Sequence, residues 1–493
     1  MHFISTRGNK EKVIASKAII KGICDDGGLY VPTYFPNLKD KLNNLVNLSY
    51  KKLCFEILKL FLDDFNEKEL MDCINKSYDD KFDNEKIAPT VKIKDNYFLE
   101  LYHGPTCAFK DMALTLMPLL LEKSLEKNNI KEDIVILTAT SGDTGKAALE
   151  GFKNLEKIKI IVFFPEDGVS TIQKLQMKSQ EGNNTYVVSI KGNFDDAQSS
   201  VKSIFNDENF NKKLKQNNYI LSSANSINIG RLLPQVVYYF YSYLELVRNK
   251  NINLGDKINF VVPTGNFGNI LAAYYSKNMG LPINKLICAS NENNVLYDFF
   301  TTGKYNKNRK LHLTTSPSMD ILISSNLERL LFEACNRDDK KVNKLINSLN
   351  NKGFYEIDNN MKSNLSSFIG EYATEEEVKE NIKNIFNKYN YLIDTHTCVA
   401  YTSYEKYLKN TKDKTTTVIV STASPYKFSK DVLNALGKED NSLDEFQILN
   451  TLSKETNTTI PLLIKNLKTA KNLHNISCEK YQIKKEVENI LKV

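Results

Sequence analysis

The stretch IVILTATSGDTGKAALEGF, residues 134–152, decides the fold of this chain. It opens with four apolar, mostly β-branched residues, passes through a polar turn that contains glycine, and continues with a helical pattern to about Phe152. Similar apolar runs recur at 158–164, 185–190, 219–222, 258–262, 286–290 and 417–421. Continuous apolar strands that alternate with helices predict an α/β protein with a buried, mostly parallel sheet.

The segments between these strands carry the spacing of helices. Helices are predicted from about residue 171, near 195–206, over 229–247 and over 270–278. Changes of pattern along the chain predict three regions. They are an N-terminal domain over 1–90, a main α/β region over 91–430 with a smaller subdomain at about 138–245, and a helical C-terminal extension over 431–493 packed outside the sheets.

The composition is ordinary for a globular protein and excludes several classes of function. The net charge is +7 over 493 residues and lysine is spread along the whole chain, so no nucleic-acid partner is predicted. There is no apolar run of about eighteen residues and no apolar N-terminal stretch, so neither a membrane span nor a secretory signal is expected. The eight cysteines form no CxxC or Cys/His cluster, which predicts no metal site and favours reduced thiols in the cytoplasm.

Lys110, in HGPTCAFKDMA (103–113), is the leading candidate for a reactive residue. A lysine amine forms a Schiff base with a carbonyl, and pyridoxal 5'-phosphate is tethered to proteins in this way. The chain has sixty lysines and most lysines are solvated surface charges, so Lys110 alone would carry little weight. His103 and His396 are assigned no role, since a lone histidine is more often a packed, hydrogen-bonded residue than a base.

Two glycine-containing turns between a strand and a helix are candidate anion sites. PTGNFGN (263–269) lets the backbone approach a ligand and offers N–H groups at a helix start, as a phosphate cradle does, although a tight turn without ligand has the same pattern. TATSGDTGKAA (138–148) is not a nucleotide-binding P-loop, because Thr140 and Ala147 stand where glycine and serine or threonine are required. Its hydroxyls and amides suit a carboxylate or a phosphate, and simple helix capping is the alternative.

Two further segments complete the candidate site. SSANSINIGR (222–231) places Arg231 after three polar residues, and arginine is scarce here, with six against sixty lysines. This pattern favours bidentate binding of an oxyanion, with an exposed surface ion pair as the alternative. In STASPYKF (421–428), Thr422 follows a strand and can contact a ring nitrogen, although it can equally be an ordinary loop threonine.

In this order the motifs resemble those of the threonine synthase family, pyridoxal-phosphate enzymes of fold type II, in its longer form with an N-terminal domain. The matching segments, which span nearly the whole chain, are STRG (5–8), CDDGGLYVP (24–32), HGPTCAFKD (103–111), TATSGDTG (138–145), NSINIGRLLPQ (225–235), PTGNFGN (263–269), SNENN (290–294), SPSMDILISSNLERLLFE (316–333) and STASPYKF (421–428). The resemblance implies a tryptophan synthase β-like α/β fold with two open, mostly parallel sheets flanked by helices, plus the N-terminal domain.

The resemblance also implies a role for each candidate residue. Lys110 would carry pyridoxal 5'-phosphate and then act as acid and base on substrate carbons. Thr422 would contact the pyridine nitrogen. The cofactor phosphate would be held by Gly265, Asn266, Phe267, Gly268 and Asn269. The substrate carboxylate would be held by Ser141, Gly142, Asp143 and Thr144. The substrate phosphate would be held by Asn225, Ser226, Asn228 and Arg231.

The implied reaction converts O-phospho-L-homoserine and water to L-threonine and phosphate, the last step of threonine biosynthesis, in a cytoplasmic monomer or weak homodimer. Alternatives are a phospholyase or a serine/threonine dehydratase of the same fold, which would release a 2-oxo acid, and a catalytically silent cofactor-binding protein. The chain departs from the family pattern at Ser424, Asn294 and Thr395, where histidine, an acidic residue and proline are usual. These departures affect the substrate side of the site and leave the tether and the phosphate contacts in place.

Overall fold

The computed structural model describes residues 1–140, 142–166 and 169–493. The strands in chain order are β1 Phe3–Ser5, β2 Tyr30–Pro32, β3 Thr90–Ile93, β4 Asn96–Glu100, β5 Asp133–Ala139, β6 Ile158–Pro165, β7 Thr185–Lys191, β8 Tyr219–Ser222, β9 Ile258–Pro263, β10 Ile283–Ser290, β11 Lys304–Asn306, β12 Phe354–Glu356, β13 Phe368–Tyr372, β14 Thr417–Ser421 and β15 Ile476–Glu479. The helices of the first half are α1 Ala15–Lys21, α2 Leu42–Leu45, α3 Tyr50–Leu58, α4 Glu67–Ser77, α5 Asp111–Leu114, α6 Met117–Lys127, α7 Asp143–Phe152, α8 Thr171–Lys178, α9 Phe194–Asn206, α10 Glu208–Gln216 and α11 Ile229–Arg248. Those of the second half are α12 Gly268–Asn278, α13 Val295–Thr302, α14 Leu327–Ala334, α15 Asp339–Lys352, α16 Asn359–Asn364, α17 Glu375–Tyr389, α18 Thr395–Thr411, α19 Ser429–Ala435, α20 Glu445–Thr456, α21 Leu462–Lys465 and α22 Ile483–Leu491.

Two sheets form the body of the molecule. The six-stranded sheet has the order β13-β10-β9-β14-β4-β3, and its strands are parallel except for the edge strand β3, which is antiparallel to β4. The five-stranded sheet has the order β15-β7-β6-β5-β8 and is parallel throughout. The predicted fold class of two open, mostly parallel sheets flanked by helices is confirmed.

The apolar runs of the sequence correspond to strands β5, β6, β7, β8, β9, β10 and β14, of which β8 lies at the edge of its sheet and the others are central. The sequence did not predict β3, β4, β13 or β15. β15 adds a strand to a C-terminal extension that was expected to be helical, and that expectation is wrong at this point. The physical reason is that β15 reads ISCE, with Ile476 41% exposed, so it lacks the buried apolar run by which the other strands were recognised.

Helix α11 is the central element between the N-terminal segment and the site. Its sequence, IGRLLPQVVYYFYSYLELVR, is apolar on almost every face, which is typical of a helix buried all round. Asn228 caps its first turn by accepting a hydrogen bond from Gly230 N–H at 2.9 Å. It packs against α3, α5 and α12, and one hydrophobic core runs through the N-terminal segment and the main region. The boundaries of the three predicted regions remain predictions.

The candidate site lies where the strands β4, β5, β9 and β14 end. In an open α/β sheet the carboxyl ends of the strands form the crevice in which ligands bind. Across the described residues, no helix is long and apolar enough to cross a membrane. The same residues contain no cluster of histidine, cysteine, aspartate or glutamate that could hold a metal ion.

Candidate active site

Lys110 occupies the N-cap position of the short helix α5, with only 12% of its side chain exposed. Its Nζ lies 3.4 Å from Ser318 Oγ and 3.8 Å from Asp143 Oδ2. Burial lowers the pKa of Lys110 to about 8, with further lowering by the cations Lys427 and Arg231, while Asp143 opposes the shift. A lysine with this pKa is neutral often enough near physiological pH to attack a carbonyl.

The loop that carries Lys110 is fixed from inside. Asp111 accepts hydrogen bonds from the backbone N–H and the hydroxyl of Thr106, at 2.7 and 2.5 Å. A Cβ at Gly104 would lie 2.5 Å from the Asp111 Cβ, so the turn requires glycine there. Phe109 N–H donates to Thr422 O at 2.8 Å, which places Thr422 directly beside the lysine loop.

Asp143 is held in a buried ion pair that the sequence did not reveal. Lys427, whose side chain is fully buried, lies with its Nζ 2.6 Å from Asp143 Oδ1 and donates to Thr106 O at 2.9 Å. Gln173 Nε2 donates to the same carboxylate at 2.9 Å. Burial acts to raise the pKa of Asp143, but Lys427 and Lys110 outweigh burial and hold that pKa far below its ordinary value. An ionised Asp143 cannot bind a substrate carboxylate with its own side chain, so its predicted role there rests on its backbone N–H.

Replacing Lys427 by methionine is expected to slow the reaction of Lys110 with pyridoxal phosphate at neutral pH. The neighbouring charges on Lys110 are Asp143, Lys427, Arg231 and Asp111, and Lys427 is the largest repulsive contribution. Without Lys427, the Asp143 carboxylate is no longer shared between two lysines and one repulsive charge is gone, so the Lys110 pKa rises above about 8. The neutral amine is then scarcer at neutral pH and recovers above the raised pKa. The initial rate at which borohydride traps the adduct at pH 7 should fall about tenfold for each unit by which the Lys110 pKa rises.

The pH profile of trapping in the cofactor-free protein measures this shift. A Lys427→Met profile displaced to higher pH, with a common plateau at high pH, is the expected result. A profile that lies on that of the unsubstituted protein would refute the role of Lys427. Since removal of one partner of a buried ion pair costs about 3–5 kcal/mol, thermal melting must first show that the variant is folded.

The loop 265–269 forms a cradle at the start of α12. Ser324 Oγ donates to Gly265 O at 2.7 Å, and Asn326 Nδ2 donates to Asn266 O at 2.9 Å. A Cβ at Gly265 would lie 2.7 Å from Ser318 O, so only glycine allows these two loops to approach. Phe267 has a φ of +67° and is buried, and α12 begins immediately after it at Gly268.

Asn269 is the residue of this cradle whose surroundings point most directly to a ligand. Its Oδ1 accepts hydrogen bonds from the hydroxyls of Tyr238 and Tyr239, both at 2.6 Å. Its Nδ2 is buried and lacks a partner within the described part of the chain. A buried amide donor without a partner is costly. Together with the glycine-lined loop it fits a phosphate, so the residues present fit pyridoxal phosphate.

Arg231 carries a buried positive charge in the first turn of α11. It is 4% exposed, and its Nη1 donates to Ala224 O at 2.8 Å. Its Nε is buried without a partner among the residues described. Burial lowers the pKa of Arg231 to about 10, which is the direction expected for a desolvated cation. This arrangement excludes the exposed surface ion pair and suits a bound oxyanion.

The other members of the predicted phosphate site differ in what they can offer. Ser226 Oγ accepts a hydrogen bond from Asn326 Nδ2 at 3.1 Å and keeps its own proton to donate. Asn225 N–H donates to Ser223 Oγ at 3.1 Å. Asn228 is buried, with its Nδ2 donating to Ile19 O at 3.0 Å and its Oδ1 capping α11. Asn228 therefore caps α11 and bonds the N-terminal segment, and its contact with a substrate phosphate stays a prediction.

The predicted carboxylate loop is described only in part, because Ser141 lies outside the described residues. Gly142 has a φ of +139°, and its N–H donates to Thr140 Oγ1 at 3.0 Å. That amide is engaged within the loop, and a Cβ at Gly142 would overlap the Gln173 Cδ, so the absence of a side chain lets Gln173 approach Asp143. Asp143 and Thr144 form the first turn of α7, where backbone N–H groups gather.

Several residues that the sequence left without a role support the site. His396 lies between Asp394 Oδ2, 2.8 Å from its Nδ1, and Ser318 N–H, which donates to its Nε2 at 3.2 Å. It thereby positions Ser318 beside Lys110. Ser318 and Lys427 lie inside two of the segments that resemble the family, 316–333 and 421–428, and their sequence carries no other indication of a role. His103 bonds Asp83 and Glu100, away from these contacts.

The three departures from the family pattern are each accommodated by a local hydrogen bond. Ser424 Oγ accepts from Tyr426 N–H at 3.4 Å. Asn294 Oδ1 accepts from Arg309 Nη1 at 3.0 Å, and Thr395 Oγ1 donates to Thr315 O at 2.7 Å. None of these bonds involves Lys110, the cradle or Arg231.

Comparison with known proteins assigns families to most of the chain. Residues 2–78 match "Threonine synthase N terminus", residues 85–423 match "Pyridoxal-phosphate dependent enzyme" and residues 397–468 match "Threonine synthase, C-terminal". Threonine synthase of Saccharomyces cerevisiae is 37% identical over 489 residues, with 92% of this chain and 93% of the yeast protein covered. Human threonine synthase-like 1 is 41% identical over 469 residues, covering 90% of this chain but 62% of the human protein.

A solved structure gives the same relation. The pyridoxal-phosphate-bound threonine synthase of Brucella melitensis superposes with a TM-score of 0.88 at 34% identity, covering 100% of this chain and 99% of that one. The agreement extends over both sheets and the N-terminal segment.

Proposed function

We propose that this chain, which belongs to the threonine synthase family of pyridoxal-phosphate-dependent enzymes, converts O-phospho-L-homoserine and water to L-threonine and phosphate. The observation that carries the proposal is Arg231, a buried guanidinium whose Nε lacks a partner among the described residues. It lies close enough to Lys110 to lower the pKa of that lysine. A substrate with a phosphate at one end and a reacting amino acid at the other matches this pair of residues.

The cofactor would be held by Lys110, by the cradle 265–269 with the Asn269 amide, and by Thr422. When bound, it withdraws electrons from substrate carbons and so acidifies their protons. The chain's own residues supply the rest. The Lys110 amine, with a pKa of about 8, can take up and return protons at substrate carbons near neutral pH. Asp143 stays ionised beside it and stabilises the protonated amine.

Substrate selection would rest on two anion sites beside the cofactor's own. Arg231, Ser226 and Asn225 would bind the leaving phosphate, and the start of α7 would bind the α-carboxylate. Holding both ends of the substrate orients the carbon from which Lys110 removes a proton. A dehydratase acting on serine or threonine has no phosphate to bind and would not need a buried arginine at this position.

Product analysis tests the proposal. Purified protein loaded with pyridoxal phosphate is incubated with O-phospho-L-homoserine, and amino acids, 2-oxo acids and phosphate are measured. Threonine with equimolar phosphate is the expected result. Phosphate with 2-oxobutyrate would make the chain a phospholyase, and absence of turnover with a bound cofactor would contradict the choice of substrate.

We further propose that the protein works in the cytoplasm as a monomer or weak homodimer. The cysteines are buried and unpaired as thiols, which supports a reducing compartment. Size-exclusion chromatography with light scattering tests the oligomeric state, and a stable oligomer at micromolar concentration would contradict it.

A further inference from the structure

Arg329 is a fully buried arginine in a matched motif, SNLER (325–329), to which no role has yet been given. Its Nε donates to Tyr30 O at 2.9 Å, its Nη1 bonds Asn326 Oδ1, and its Nη2 bonds Ile227 O. These acceptors belong to three separate parts of the chain. They are strand β2 of the N-terminal segment, the start of α14, and the segment 225–231, which leads into α11 and carries the predicted substrate-phosphate ligands.

Asn326 extends these contacts to both predicted phosphate sites. Its Oδ1 is taken by Arg329, which turns its Nδ2 towards the two loops. That Nδ2 donates to Ser226 Oγ at 3.1 Å and to Asn266 O at 2.9 Å, while Asn326 N–H donates to the same carbonyl at 3.2 Å. One side-chain amide therefore bonds a predicted substrate-phosphate ligand and the backbone of the cofactor cradle at once.

The N-terminal segment holds this assembly through the neighbouring residue. Glu328 is buried and accepts hydrogen bonds from Thr6 Oγ1 at 2.5 Å and from Arg7 Nε and Nη2 at 3.0 and 2.7 Å. The STRG motif (5–8) therefore docks onto α14 one residue before Arg329. A bidentate arginine–carboxylate pair of this kind fixes orientation as well as position.

We propose that Asn326 and Arg329 are positioning residues that hold the segment 225–231 and the cradle 265–269 in one arrangement, with the N-terminal segment as the fixed support. The inference rests on the proposed function, since it assigns one phosphate to each loop. It predicts that replacing Arg329 weakens the binding of both phosphates together, although Arg329 hydrogen-bonds none of the residues predicted to bind either phosphate. Replacing a residue that binds only one of the two phosphates should weaken the binding of that phosphate alone.

The test uses the full chain and two binding measurements. Equilibrium dialysis of the holoenzyme against graded pyridoxal phosphate gives the cofactor affinity, and calorimetry with inorganic phosphate on the cofactor-saturated protein gives the affinity of the second site. Arg329→Lys retains the positive charge but cannot reach three acceptors at once. Its matched control is Arg337→Lys, because Arg337 also joins the N-terminal segment, through Pro32 O and Thr33 O, but does not bond Asn326.

Arg329→Lys is expected to weaken both affinities by about tenfold or more, while Arg337→Lys leaves both within about twofold. Loss of only one affinity, or of neither, in folded Arg329→Lys would overturn the inference. If Arg329→Lys does not fold, Asn326→Ala is judged by the same two measurements and the same criterion. Failure of the unsubstituted holoenzyme to bind phosphate or form threonine would instead count against the proposed function, so the two failures are distinguishable.

Discussion

Lys110→Ala is expected to abolish turnover, by at least about 10⁴-fold, and to remove all covalent attachment of pyridoxal phosphate. Lys110 is the lysine beside the cradle and Ser318, and its depressed pKa makes it the amine suited to attack the cofactor's carbonyl. Without it the cofactor would keep only its non-covalent contacts, and the substrate carbons would lose the predicted acid and base. Borohydride reduction followed by peptide mass spectrometry measures the attachment, and product formation measures the turnover.

Lys146→Ala is the matched control for that experiment. Lys146 is another largely buried lysine, in helix α7, and its Nζ lies 3.0 Å from Glu150 Oε2. Its removal disturbs α7, the helix that begins at Asp143, and leaves Lys110 in place, so attachment should persist. Covalent cofactor in Lys110→Ala, or its absence in Lys146→Ala, would show that the reactive lysine has been assigned wrongly.

The central part of the fold was predictable because its signal is local. Strands such as IVIL and INFVV are buried on both faces, so every residue of the run is apolar and the pattern stands out. Strand β15 lies at a sheet edge with exposed side chains and lacks that signal. The anion-binding turns were equally visible, since glycine and small polar residues at a strand end are a local pattern too.

The side chains that contact Lys110 and Asp143 could not be predicted from a local sequence pattern. Lys427 and Ser318 are ordinary residue types in the sequence, and they matter because the fold brings them from far along the chain to Asp143 and Lys110. Asn228 gives the opposite case. Its position beside Arg231 suggests a ligand, but a carbonyl of α1, Ile19 O, takes up its amide. This contact depends on the docking of the N-terminal segment, so the sequence could not show it.

Arg231→Met is expected to raise the KM for O-phospho-L-homoserine by about 10²-fold or more while the affinity for pyridoxal phosphate stays within about twofold. Hydrogen bonds to a charged group contribute about 1.5–3 kcal/mol each, and a guanidinium can make two of them to a phosphate. Since about 1.4 kcal/mol corresponds to tenfold, losing both predicts this size of effect. Methionine retains the apolar stem of the buried side chain, so folding should survive.

Steady-state kinetics and cofactor dialysis on the same preparations check the prediction. Arg248→Met is the matched control, because Arg248 ends the same helix α11 and donates to Val46 O from Nε at 2.9 Å and from Nη2 at 2.7 Å, far from the predicted phosphate site. It should leave the KM unchanged. A parallel loss of cofactor and substrate affinity in Arg231→Met would place Arg231 at the cofactor phosphate instead. Unchanged KM with threonine still formed would mean that the leaving phosphate is bound elsewhere, and the buried charge of Arg231 would then need a different anion.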